Sequence, residues 1–572
     1  MKGTQLFIQA LLAEQVSTLF AYPGGYALDL FDALYDQEAI RIVLPRHEQG
    51  LVHAADGYAR ATGKPGVCLV TSGPGATNLV TGIATANYDS VPLVCLTGQV
   101  PLPLIGNDAF QEVDIIGITR SVCKYGVMVR DRRDLGRILK EAFYIAATGR
   151  PGPVVVDLPQ DILLQEADDS YPSAVSIRGY KPMTGVHAGQ LKKAAQLLSQ
   201  SERPLLLAGG GVKIAGAELP LRQLAETLQI PVVATLMGRG ALDTGHPLYI
   251  GGLGMHGNEA ANRAVSQCDV LLSIGVRFND RITGKISEFA PHARIIHIDI
   301  DTASISRNIR VDIPIVADAN TAIQALLPLV RPRCTAGWID ETAKRPVRSD
   351  PPNTLSPWVI LDALNRRFPS ALFVTDVGQH QMWAAAYLHL NRERRLLTSG
   401  GLGTMGFGLP AAIGAKLGCP DSPVICICGD GGLQMTVQEL ATAVSYELPI
   451  LICVFNNQSL GMVRQNQTLF YHRRYAATCI RRGTGCPARC DGPSAACPPY
   501  TPDFIKLAES YGAMGIRITA PEEIEPAFAQ AQAQTKKPVL LEFLIDCEEL
   551  VFPMVRSGHA LSDMITEKEV IQ

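Results

Sequence analysis

Short apolar runs alternate with amphipathic stretches along most of the chain. Eleven runs have strand length: Gly66–Thr71, Pro92–Thr97, Pro153–Leu158, Pro204–Ala208, Pro231–Ala234, Val270–Ile274, Arg294–Ile298, Leu372–Thr375, Val424–Cys428, Ile450–Phe455 and Pro538–Phe543. Both alternating positions in them are apolar, which is the pattern of parallel strands covered by helices on each face. The stretches between carry helical periodicity. The chain opens with one such stretch: Leu6, Ile8, Leu11, Leu12, Val16, Leu19 and Phe20. This alternation predicts an α/β fold of three doubly wound domains with mostly parallel sheets. Two polar stretches without periodicity, Asp168–Pro182 and Arg331–Pro357, read as linkers. They place the domains at 1–168, 183–330 and 358–572.

Composition narrows the class. The hydrophobic fraction of 47% excludes a mostly disordered chain. A net charge of −3 provides no basic excess for nucleic acid. No apolar run reaches the roughly 20 residues of a membrane helix. No signal-peptide pattern precedes the first amphipathic stretch, so a cytoplasmic location is expected. Cys68, Cys95, Cys426, Cys428 and Cys453 sit singly in apolar runs and read as buried free thiols.

The run Val424–Cys428 ends in Gly429-Asp430-Gly431-Gly432, and helical spacing follows (Val437, Leu440, Ala441, Val444). A glycine turn between strand and helix presents backbone N–H groups to a phosphate, and Asp430 adds a carboxylate for a hard cation such as Mg²⁺. The next strand ends in Asn456-Asn457. Parallel strands end on one edge, so Asp430 and Asn457 can share one metal. Alone, Gly-Asp-Gly is equally a plain turn. With the asparagine pair at this distance it resembles the thiamine-diphosphate motif, which implies Asp430, the Asn457 side chain and the Ser459 carbonyl as metal ligands and Gly429 and Gly431 as diphosphate contacts. Thiamine chemistry also needs a desolvated carboxyl group to exchange a proton with the aminopyrimidine ring. Arg46-His47-Glu48-Gln49-Gly50 looks like the first-domain glutamate motif, although Glu48 in isolation would be a surface acid.

Further stretches carry a closer likeness. They include Tyr22-Pro23-Gly24-Gly25, Thr71-Ser72-Gly73-Pro74-Gly75-Ala76-Thr77-Asn78, Asp108-Ala109-Phe110-Gln111-Glu112, Gly149-Arg150-Pro151-Gly152-Pro153, Gly254-Met255-His256-Gly257, Arg277-Phe278-Asn279-Asp280-Arg281 and Gly401-Leu402-Gly403-Thr404-Met405-Gly406. In this order they resemble the catalytic large subunit of acetohydroxyacid (acetolactate) synthase over nearly the whole chain. The resemblance implies pyrimidine-binding, FAD-binding and diphosphate-binding domains in succession. It implies thiamine diphosphate, Mg²⁺ and a flavin that is not a redox centre. It also implies a homodimer or tetramer with sites shared between subunits, and a separate small regulatory subunit.

The implied reaction decarboxylates pyruvate and passes the two-carbon unit to a second 2-oxo acid, pyruvate or 2-oxobutyrate. Glu48, Gly25, Gln111 and Arg277 are then the catalytic set. Gln379, His380 and Met405 contact thiamine diphosphate, and Arg150, Gly210, Thr235, Leu236, Met255, His256, Arg277, Asp299 and Asp318 contact FAD. Phe110, Met255 and Asn466 line the substrate pocket. Arg277 can fork onto the second acid's carboxylate; a structural ion pair or flavin contact is its lesser alternative reading. Gly24 and Gly25 fit either a tight turn or a close approach to the reacting carbon. A pyruvate oxidase, another flavin carboligase and a cofactor-binding homologue without turnover are the alternative readings.

Four departures from the family stand out. Asn279 replaces the usual Asp. Gln465-Asn466-Gln467 replaces Gln-Trp-Gln, so a weaker preference for 2-oxobutyrate is expected. Tyr26 replaces a small Ala near the channel that family inhibitors occupy, so reduced herbicide sensitivity is expected. The segment Cys479–Tyr500 is an insertion holding Cys479, Cys486, Cys490 and Cys497 among Arg, Gly and Pro. It reads as a flexible insertion, a reading-frame artefact or, least well given its spacing, a zinc site.

Overall fold

The computed structural model describes residues 1–332, 335–342, 354–487, 489–490, 492–494 and 496–566. Three sheets of six strands, all pairings parallel, organise the chain. The first contains β1 (Thr18–Ala21), β2 (Arg41–Val43), β3 (Gly66–Val70), β4 (Leu93–Gln99), β5 (Tyr125–Met128) and β6 (Pro153–Pro159), in the order β2-β1-β3-β4-β6-β5. The second contains β7 (Pro204–Ala208), β8 (Val232–Ala234), β9 (Tyr249–Gly252), β10 (Val270–Ile274), β11 (Arg294–Asp299) and β12 (Ile313–Val316), in the order β12-β11-β10-β7-β8-β9. The third contains β13 (Leu372–Thr375), β14 (Leu396–Thr398), β15 (Val424–Gly429), β16 (Ile450–Asn456), β17 (Met514–Ile518) and β18 (Val539–Leu544), in the order β14-β13-β15-β16-β18-β17.

All eleven runs read as strands are strands, and their burial explains why they stand out. Leu205, Leu206 and Leu207 of β7 are fully buried although successive side chains face opposite sides of the sheet. The topology adds what periodicity cannot. The first and third sheets share one strand order, counted from their own first strands. The middle sheet has the 3-2-1-4-5-6 order of dinucleotide-binding folds, whose ligands lie beyond the strand carboxyl ends where the order reverses. Here that point lies between β7 and β10.

Two expectations need correction. The opening amphipathic stretch is not one element: the helix stops at Ala13, and Leu19 and Phe20 belong to β1. Arg331–Pro357 is not wholly a linker. Residues 343–353 lie outside the described residues, but Ala336–Thr342 is a helix that buries Trp338, whose indole donates to Pro204 O at 2.9 Å. Asp168–Pro182 has no regular structure, yet Tyr171, Ile177 and Tyr180 pack against the first core.

The first and third sheets meet through helix Glu48–Thr62 and helix Gly408–Gly418. Their approach needs glycine. A Cβ on Gly57 would lie 2.0 Å from Ala411 O, and one on Gly414 would lie 1.8 Å from Ala54 O. Buried Arg60 locks the same contact by pairing with Asp56 and, at 3.0 Å, with Asp89. Asp89 in turn accepts the N–H groups of Gly400 and Gly401 at 3.0 and 2.7 Å.

Candidate active site

The third sheet gathers the residues expected at the diphosphate and the metal. Its strand order reverses between β13 and β15, so the segments after both strands open onto one edge. Gln379 and His380 begin the helix that follows β13. Asp430 follows β15 and Asn457 follows β16. Nδ2 of Asn457 donates to Oε1 of Gln379 at 3.0 Å, and Nε2 of Gln379 donates to Oε1 of Gln465 at 2.9 Å. Gly429 leaves room for His380, whose Nδ1 would lie 3.0 Å from a Cβ there. A Cβ on Gly431 would lie 2.8 Å from Leu460 Cδ2 and 3.7 Å from Met405 Cε.

Two buried atoms lack partners at this edge: Oδ2 of Asp430 and Nε2 of His380. Burial pushes the Asp430 carboxyl up to about 7 and holds the His380 imidazole down to about 3. An oxygen acceptor and a neutral imidazole left unsatisfied inside a protein are costly unless a ligand completes them. The donor set, a carboxylate, an amide oxygen and a main-chain carbonyl, suits a hard cation. These residues therefore fit Mg²⁺ and a diphosphate.

The middle sheet supplies the second cofactor region at its reversal point. A Cβ on Gly209 would lie 2.0 Å from Gly275 O, and one on Gly211 would lie 2.6 Å from Gly275 Cα, so the turns after β7 and β10 touch. Gly210, Thr235, Leu236, Met255, His256, Arg277, Asp299 and Asp318 all line the cavity above this point. Nδ1 of His256 and Oδ1 of Asn279 are buried without partners. Burial, and then nearby Arg281, keep His256 down to about 4, so a neutral ring faces the cavity. These features fit FAD. Arg150 and Asp318 also line the cavity but already have protein partners: Arg150 binds Asp301 at 3.0 Å, and Asp318 caps the helix Ala319–Leu326 by accepting from Thr321 N at 3.0 Å.

The two regions are one space. The cavity has a volume of about 2560 Å³ and also includes Gln379, His380, Met405, Gly429, Asp430, Gly431, Asn457, Ser459 and Asn466. Pockets for one small molecule hold roughly 300–1,000 Å³, so this one has room for two extended cofactors. Arg277 lies between the regions. A Cβ on Gly401 would come within 2.9 Å of its Nη2, and burial, followed by repulsion from Arg150, depresses its pKa.

Glu48, Gly25, Gln111 and Phe110 do not line that cavity. They lie with the turns at the carboxyl ends of the first sheet's strands. Glu48 starts its helix behind His47, whose Nδ1 accepts from Gln49 N at 3.0 Å. Nδ2 of Asn78 donates to Oε2 of Glu48 at 3.0 Å. A Cβ on Gly75 would lie 2.9 Å from Thr71 Cγ2 and 3.7 Å from Glu48 Oε1, which gathers these residues in one patch. The two neighbouring glycines differ. A Cβ on Gly24 would collide with Thr71 Cγ2 at 2.5 Å, whereas Gly25 has no atom within 4 Å. Gln111 adopts φ 60°, left-handed for a non-glycine residue. Glu48 is half-buried in the single chain, less desolvated than its expected chemistry needs.

Several supporting residues had no sequence signal. Buried Glu439 accepts the N–H groups of Arg46 and His47, each at 3.1 Å, and so holds the turn before Glu48. Buried Asp376 accepts those of Gly406 and Gly408 at 3.0 and 2.9 Å and fixes the turn after Met405. Single carboxylates far away in sequence carry no local motif.

At its ends the cysteine-bearing insertion is tied to the third domain: Cys479 pairs with Ser459, and the Tyr500 hydroxyl accepts from Gln434 Nε2 at 3.0 Å. Among the described residues no group of three or more His, Cys, Asp or Glu could hold a metal ion, which leaves the zinc reading without support.

Comparison with known families matches all three regions. Residues 1–118 match the thiamine pyrophosphate enzyme N-terminal TPP binding domain, 191–326 the central domain and 376–543 the C-terminal TPP binding domain. The fold and site thus define a thiamine pyrophosphate enzyme. The chain is 47% identical to a probable acetolactate synthase large subunit of Methanocaldococcus jannaschii, over 99% of this chain and 95% of that one. It is 43% identical to the acetolactate synthase isozyme 3 large subunit of Escherichia coli, over 99% of both chains. It is 44% identical to the acetolactate synthase large subunit of Corynebacterium glutamicum, over 99% of this chain and 90% of that one. The chain belongs to the acetolactate synthase large-subunit family.

Proposed function

We propose that this chain is a carboligase that decarboxylates pyruvate and transfers the two-carbon unit to pyruvate or 2-oxobutyrate, the acetolactate synthase reaction. The observation that carries the reading is the pair of unpartnered buried atoms, Asp430 Oδ2 and His380 Nε2, at one edge of a cavity that also reaches Arg277. Bound thiamine diphosphate supplies a thiazolium that takes up the electron pair released with CO₂. Asp430, Asn457 and the Ser459 carbonyl hold Mg²⁺. Gln379 and His380 would hold the diphosphate, and Met405, which lines the same cavity near Gly431, would contact the cofactor. Glu48 holds a proton and exchanges it with an aminopyrimidine nitrogen. Gly25 keeps space open near the reacting carbon, and Gln111 lines the same approach. Arg277 pairs with the second acid's carboxylate, and Phe110, Met255 and Asn466 enclose its side chain. Gly210, Thr235, Leu236, Met255, His256 and Asp299 would hold FAD in a structural role.

In this reading the domains are 1–168 for the pyrimidine, 183–330 for FAD and 358–572 for the diphosphate. Glu48 and Asp430 act in one site only when a second copy brings its first domain to this chain's third. Leu28, near Gly25, and Phe110, beside Gln111, are 56% and 79% exposed, an apolar surface for that contact. A homodimer or tetramer follows. The relatives are named large subunits, and a small regulatory subunit completes the assembly. No helix of the described residues is long and apolar enough to cross a membrane.

The test is product analysis of the purified chain with pyruvate, thiamine diphosphate, Mg²⁺ and FAD. Acetolactate formed without oxygen uptake supports the proposal. Oxygen consumption coupled to pyruvate would assign an oxidase instead.

A further inference from the structure

The two ends of the insertion Cys479–Tyr500 meet the loop that bears two of the expected metal ligands. At its start, Ser459 and Cys479 form an antiparallel bridge, Leu460 N donates to Thr478 O at 2.8 Å, and Ile480 N donates to Gln458 O at 3.2 Å. Its end returns to the same place. Nε2 of Gln434 donates to the Tyr500 hydroxyl and to Asp430 O, both at 3.0 Å, which ties Tyr500 to the main chain of Asp430. Arg481 joins the two ends. Its Nη1 donates to Gln458 Oε1 at 2.8 Å, its Nη2 to Cys497 O at 3.2 Å, and its Nε to Pro498 O.

Gln458 lies between Asn457 and Ser459 and adopts φ 59°, a left-handed conformation that a non-glycine residue keeps only when its surroundings impose it. Arg481 is bonded to the side chain of this residue, and Tyr500 is tied through Gln434 to the main chain of Asp430 on the facing loop. A cation that needs oxygens at fixed positions binds more tightly when their loop is already ordered.

We infer that Arg481 and Tyr500 are positioning residues for the metal and that the insertion braces the 457–460 loop. This rests on the proposed ligand set Asp430, Asn457 and Ser459. The test is equilibrium dialysis of thiamine diphosphate against the full chain with FAD over a range of Mg²⁺, for Tyr500→Phe, Arg481→Ala and, as reference, Asp430→Asn. The brace predicts that the Mg²⁺ concentration for half-maximal binding rises about 10-fold in the first two variants and that saturating Mg²⁺ restores full binding. Asp430→Asn should not recover. Unchanged Mg²⁺ dependence in Tyr500→Phe and Arg481→Ala, with binding lost in Asp430→Asn, overturns the brace and leaves the ligand set standing. Unchanged dependence in Asp430→Asn removes the ligand set and the brace with it. Tyr500→Phe keeps the ring that packs on Phe504 at 5.9 Å and decides the matter alone if Arg481→Ala does not fold.

Discussion

Position 466 should control which second acid the enzyme accepts. Asn466 lines the cavity beside Met462 and Val463, and its Nδ2 donates to Met462 O at 2.9 Å, so its amide is folded back on its own helix. It offers no apolar wall to a substrate. 2-Oxobutyrate exceeds pyruvate by one methylene, which exposes about 30 Å² of apolar surface and gains about 0.8 kcal/mol on full burial. Asn466→Trp supplies a wall for that methylene. The preference for 2-oxobutyrate over pyruvate should then rise about fourfold, and more in a tight pocket, where one methylene is worth up to about 3 kcal/mol. The assay is the ratio of acetohydroxybutyrate to acetolactate formed from mixed substrates at several ratios. An unchanged ratio in Asn466→Trp refutes the placement of residue 466 against the second acid. A strong 2-oxobutyrate bias in the unmodified chain would show that another residue already forms the wall.

Other outcomes follow from individual side chains. Gly25→Ala should leave the melting temperature unchanged, because nothing lies within 4 Å of the new methyl, while acetolactate formation falls; a stability loss without an activity loss would count against an open approach there. Gly57→Ala should cost about 1–3 kcal/mol or more, because its Cβ would meet Ala411 O at 2.0 Å; an unchanged melting temperature would contradict that helix contact. Asp157 accepts from Thr97 Oγ1 at 2.6 Å and Gln99 Nε2 at 2.9 Å, yet burial pushes its carboxyl up to about 7. From about pH 4 to 7 the folded chain keeps a proton that the unfolded chain releases, so this residue's contribution is greatest in acid and is lost as pH rises towards 7. Asp157→Asn should therefore flatten the fall in melting temperature between about pH 4 and 7, and an identical slope would contradict the shift.

Interior strands were legible because both their faces are apolar. The strands without that signal are mainly edge strands. β2, β5, β9, β12, β14 and β17 flank the three sheets. β5 and β17 show why: their residues are mostly half-buried or exposed, so no continuous apolar run forms. β1 is interior but short, and Leu19 and Phe20 continue the spacing of the helix before it. The residues proposed for the metal and the diphosphate stand out in the sequence because strand ends place them at fixed offsets. Glu439, Asp376 and Asp89 were not, because a buried carboxylate that holds a distant turn leaves no mark in its own neighbourhood. The separation of Glu48 from the cavity is likewise a matter of topology, since the first sheet directs its strand ends to a different surface.

The most direct test of the account is the rate of acetolactate formation by Glu48→Gln at saturating thiamine diphosphate, Mg²⁺ and FAD. A fall of about 100-fold or more, with thiamine diphosphate still bound, is the predicted result for a lost proton-exchanging group. A rate close to that of the unmodified chain would contradict the role assigned to Glu48 and, with it, the site built from two copies.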